Sequence, residues 1–88
     1  MATTLAQRKW RDKNRFVKTQ LNVMTRRLVH EDLTEISESF RLRGKGEAVS
    51  FSSFVTKGLL QFAEYDDEAQ RLLEIFTAAY ARDRDLYQ

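Results

Sequence analysis

A chain of 88 residues with 15 Lys+Arg, 13 Asp+Glu and one His is one small domain at most. Its 42% hydrophobic content, with six Phe, three Tyr and one Trp, excludes a wholly disordered chain. With no cysteine, a disulfide framework, an iron–sulfur cluster, a thiolate zinc site and a cysteine nucleophile are all excluded.

The net charge of +2 hides an asymmetry. Residues 1–27 carry Arg8, Lys9, Arg11, Lys13, Arg15, Lys18, Arg26 and Arg27 against Asp12 alone, a balance of +7, whereas residues 28–88 stand at −5. A basic first third on an otherwise acidic chain is the electrostatic footprint of a polyanion binder. Residues 1–15, MATTLAQRKWRDKNR, lack an apolar period and read as a flexible basic arm. Within it Arg8, Lys9, Arg11 and Lys13 are expected as non-specific phosphate contacts, and Trp10 as an anchor that packs on the domain or stacks on a sugar or base, packing being favoured.

Residues 16–24, FVKTQLNVM, alternate. Val17, Thr19, Leu21 and Val23 share one face of an extended chain, and Lys18, Gln20, Asn22 and Met24 share the other. Alternation with β-branched types predicts a half-buried strand, the only one in the sequence. A lone strand cannot satisfy its own backbone, so the same strand of a second copy is its simplest partner.

From about residue 30 the period becomes helical, with Leu33, Ile36 and Phe40 on one face and Gly44 as the C-terminal cap. Arg41 and Arg43 are expected in the last turn of that helix, and residues 44–49 in a turn. Ser50 is the expected N-cap of a second helix whose stripe is Phe51, Phe54, Val55, Leu59 and Phe62. Gly58 on that stripe marks a close helix crossing. A third helix is expected from Asp67 to Asp83, with Ala69, Leu72, Leu73, Phe76 and Tyr80 as its stripe and a fraying end beyond.

One strand, a helix, a glycine-containing turn and a Ser-capped helix together resemble the ribbon-helix-helix (Arc/MetJ-like) DNA-binding family over residues 17–62, most sharply at Gln20-Leu21-Asn22-Val23-Met24. The resemblance implies a mainly α fold with one short strand. Two copies would intertwine as a homodimer through an intermolecular two-stranded antiparallel ribbon, with an extra C-terminal helix. It divides the chain into an arm at 1–15, a ribbon-helix-helix domain at 16–65 and the added helix at 66–88. It implies base reading in the major groove by Lys18, Gln20, Asn22 and Met24. Met24 departs from the Arg or Lys common at that position, and Lys18 is the substitute. It further implies phosphate contacts from Arg15, Arg26, Arg27 and from Ser50, Phe51, Ser52 and Ser53 at the start of the second helix.

The function so implied is sequence-specific binding of double-stranded DNA by a transcriptional repressor. Plasmid partition or centromere binding, an antitoxin and a DNA-transfer accessory role belong to the same fold. A small helical adaptor that binds RNA or an acidic partner is the reading from another class. A homodimer is expected, with the third helix either bracing it or presenting Tyr80 and its neighbours for higher-order association on DNA. No catalytic residue, cofactor or metal site is expected. His30 is a lone imidazole without a placed nucleophile, the helix carboxylates are spread out, and Gly44-Lys45-Gly46 lacks the spacing of a phosphate loop. No segment reaches the about 20 apolar residues of a membrane span and none resembles a secretory h-region, so a cytoplasmic protein without membrane contact is expected.

Overall fold

A computed structural model of the chain describes residues 15–88. The expected arm falls largely outside them: Arg8, Lys9, Trp10, Arg11 and Lys13 are not among the described residues. Three helices follow a lead-in without regular structure: α1 (Arg27–Ser39), α2 (Lys45–Phe62) and α3 (Asp67–Tyr87). Helix α2 is central and packs on both α1 and α3. The far end of α3 returns to the start of α1, where Arg26 Nε donates to the Gln88 carbonyl.

The expected strand is absent among the described residues. Residues 18–26 form no element, and both faces of the alternation are exposed, Leu21 by 72% and Val23 by 61%. A strand exists only when another strand accepts its N–H and C=O groups, and every other ordered segment here is helical. The ribbon-helix-helix assignment is therefore corrected to a three-helix arrangement with a basic lead-in that forms no strand.

Helix boundaries shift for local reasons. Helix α1 starts at Arg27, so His30, Glu31 and Asp32 lie beyond its first residues, and it ends at Ser39. Its end is a Schellman motif: Leu42 N–H donates to Ser37 O at 2.8 Å and Arg41 N–H to Glu38 O at 3.4 Å. Ser37 Oγ donates a third bond to the Leu42 carbonyl at 3.2 Å, and Ser37 is buried. The left-handed position that this motif needs is filled by Arg41, at φ 56°, not by the expected Gly44. A side chain with a Cβ is strained there. Arg41→Gly is expected to stabilise the fold by about 0.5–1 kcal/mol, read as a higher thermal midpoint by circular dichroism. An unchanged or lower midpoint would contradict the assignment of Arg41 to this cap.

Gly44, at φ 142°, instead precedes α2 as its N-cap. Glu47 in the first turn accepts the Arg43 N–H at 2.7 Å, which ties the loop to the helix start. Helix α2 consequently begins five residues before Ser50, and residues 45–49 are helix, not turn. Helix α3 begins under Asp66, whose Oδ1 accepts the Ala69 N–H at 2.9 Å, a cap worth about 0.5–2 kcal/mol. It continues four residues past the expected Asp83.

The interior is slight. Ala48 is fully buried, Ala69 and Ser37 nearly so, and no large side chain among the described residues is fully buried. Phe40 and Phe51 pack with ring centroids 4.6 Å apart, joining the end of α1 to the second turn of α2. Gly58 marks no close crossing, since a Cβ there would meet nothing within 4 Å.

Candidate nucleic-acid interface

From Lys13 to His30 the sequence contains no carboxylate, while it holds Lys13, Arg15, Lys18, Arg26 and Arg27. Nothing in this stretch neutralises the cations locally. Arg15, Lys18, Gln20, Asn22, Met24, Arg26 and Arg27 are all exposed in the structure, Met24 completely. Residues 18–26 belong to no helix, and Arg26 at their end donates from Nε to the Gln88 carbonyl.

At its near end the lead-in meets α2. Arg15 and Phe16 line a shallow groove of about 780 Å³ with Ser50, Ser53, Phe54, Lys57 and Gln61. The guanidinium of Arg15 lies 5.7 Å from the Phe16 ring centre, a cation–π distance. Ser50, Ser53, Lys57 and Gln61 recur at helical spacing, so they share one face of α2. Ala48, Val55 and Leu59 recur on the opposite face. Helix α2 thus presents a basic, polar side and an apolar side. Phe54, assigned by its spacing to the apolar stripe, belongs to the groove and is 80% exposed.

At its far end the lead-in enters α1. Arg26 is the N-cap residue and makes no side-chain cap bond, and α1 has no acidic residue in its first turn. The carbonyl of Arg26 takes the N–H of Val29 at 3.0 Å and of His30 at 3.4 Å. Earlier N–H groups of the helix start have no intrahelical acceptor, as in any α-helix. Two arginines at the positive end of a helix dipole are locally unfavourable, and an anion there relieves both terms.

Of the expected site residues, the structure joins Arg15, Ser50 and Ser53 in one groove and sets Arg26 and Arg27 together at the α1 start. The expected phosphate grip at Ser50–Ser53 is corrected in kind. These residues lie inside α2, where their N–H groups are committed to the helix, so only hydroxyl groups remain to be offered. Phe51 is turned away onto Phe40, and Ser52 lines the apolar side with Ile36, Phe40 and Val55. The true start of α2 holds Glu47, a poor neighbour for phosphate. Lys57 was not among the expected residues. The spacing Ser50, Ser53, Lys57, Gln61 was the signal that could have found it.

His30 Nδ1 lies 3.3 Å from Lys45 Nζ, with no carboxylate or hydroxyl in hydrogen-bonding contact with the ring. Among the described residues no group of three His, Asp or Glu side chains could hold a metal, and no helix is long and apolar enough to cross a membrane. Comparison with models of protein families, with curated proteins and with solved structures finds nothing that matches the chain.

Proposed function

We propose that the chain binds double-stranded DNA through its lead-in segment, residues 15–27, and the adjoining basic face of α2. The carboxylate-free cationic strip, exposed along its length and continued across a groove by Lys57, is the observation that carries this reading. Arg15 and Lys57 contact phosphates at one end, and Arg26 and Arg27 with the α1 start contact them at the other. Between them Lys18, Gln20 and Asn22 are available to base edges, where Gln and Asn can pair bidentately with adenine. Phosphate contacts set the affinity and base contacts the choice of sequence.

Fluorescence anisotropy on a random duplex at several salt concentrations tests it. Arg15→Gln with Lys57→Gln should weaken binding on every sequence alike and make the logarithmic salt slope shallower by about 2. Unchanged affinity and slope would overturn the assignment of the groove.

A second reading rests on Phe16 and Phe54, which are 90% and 80% exposed at the same groove. Exposed aromatics beside cations suit stacking of unpaired bases, as in single-stranded RNA. Titration of single-stranded RNA against the duplex separates the two. Tighter binding of the single strand, lost on Phe16→Ala and Phe54→Ala, would favour RNA.

A further inference from the structure

The last turn of α3 meets the start of α1. Arg26 Nε donates to the Gln88 carbonyl across 62 residues of sequence, and Val29 shares a groove with Asp83 and Tyr87. Tyr87 stands edge-on to Tyr80, ring centroids 6.3 Å apart, which holds that turn to the body of α3. The last carbonyls of a helix have no intrahelical donor and form the negative end of its dipole. The start of α1 is a positive end that carries Arg26 and Arg27 with no acidic residue in its first turn. The contact therefore sets a negative helix end against a positive one, the same relief that an anion would supply. Asp83 lies 3.7 Å from Arg82 of its own helix, so the Gln88 carbonyl and not that carboxylate carries the contact.

This contact occupies what a phosphate needs. A guanidinium grips phosphate with two parallel N–H groups, and its side-on pair is Nε with one Nη. With Nε given to Gln88 that pair is closed. The carbonyl end of α3 also sets partial negative charge where phosphate oxygens would arrive.

We infer that the last turn of α3 is an autoinhibitory latch on the α1 end of the DNA-binding face. DNA engages the Arg26 fork only by displacing Gln88, so the unlatched fraction of the chain scales the affinity. The inference rests on Arg26 being a phosphate contact.

A charge-neutral break of that turn in the full chain tests it. Leu86 is 62% exposed there, and a proline in its place removes a helical N–H and clashes with the preceding turn. On a random duplex, Leu86→Pro should bind about threefold to tenfold more tightly than the native chain. In an Arg26→Gln background the same exchange should give no gain. Should Leu86→Pro unfold by circular dichroism, Gln88→Pro replaces it, since it breaks only the final bond to the Arg84 carbonyl. No gain in affinity, or an equal gain without Arg26, would overturn the latch. If the native chain binds no duplex, the DNA reading fails and thermal unfolding judges the contact by itself. Arg26→Gln and Leu86→Pro together should then lower the midpoint by less than the sum of their separate losses, because both break one contact. Additive losses would overturn it.

Discussion

Replacing Ala48 by aspartate is expected to unfold the chain. Among the described residues Ala48 is the one fully buried side chain, and it lies in the first turns of α2, the helix that packs on both α1 and α3. A carboxylate there would be taken out of water, at a cost of several kcal/mol. A domain of this length has about 4–13 kcal/mol of stability in all. Circular dichroism should show lost helicity or a collapse of the thermal midpoint. Ala48→Gly, which keeps the space open, should cost only about 1 kcal/mol through helix propensity. If Ala48→Asp melts like the native chain, the α1–α2 contact is not where the fold is held.

Removal of residues 1–14 is expected to produce the largest change in DNA affinity. The deletion takes away Arg8, Lys9, Arg11 and Lys13 together with Asp12, and leaves Arg15 onward intact. Each cation that neutralises a phosphate releases a counterion, so four of them contribute about 3.6 to the logarithmic salt slope. At about 0.1 M salt the lost affinity should be two to three orders of magnitude, nearly equal on all duplexes. The three described helices should be retained, since all of them begin later. An unchanged salt slope would give the segment a task other than phosphate contact.

The two measurements probe opposite sides of one helix. Ala48 belongs to the face of α2 that holds the helices together, and Lys57 to the face that carries the groove. Salt-dependent affinity should respond to Lys57 without loss of fold, and fold should respond to Ala48 whatever the ligand.

Charge distribution and helical content were legible in the sequence by itself. The concentration of cations in residues 1–27 needs no coordinates, because it is a count along the chain. Three helical segments follow from apolar spacing, and the expected start of the third at Asp67 holds, where the cap from Asp66 is a local hydrogen bond. Tertiary structure decided the rest. The alternation at 16–24 predicted a strand because period-2 spacing measures which residues share a face, not whether a second strand is there to pair with it. Gly44 looked like a C-terminal cap because glycine suits both ends of a loop. Only the carbonyl of Ser37, reaching Leu42, places that cap at Arg41 and hands Gly44 to α2. That shift of the α2 start moved Ser50 from a helix end into a helix interior and turned its role from backbone to hydroxyl. Lys57 shares a groove with Arg15 because of the tertiary fold. Forty-two residues separate them in sequence, and no local pattern encodes a contact made by the fold across that distance.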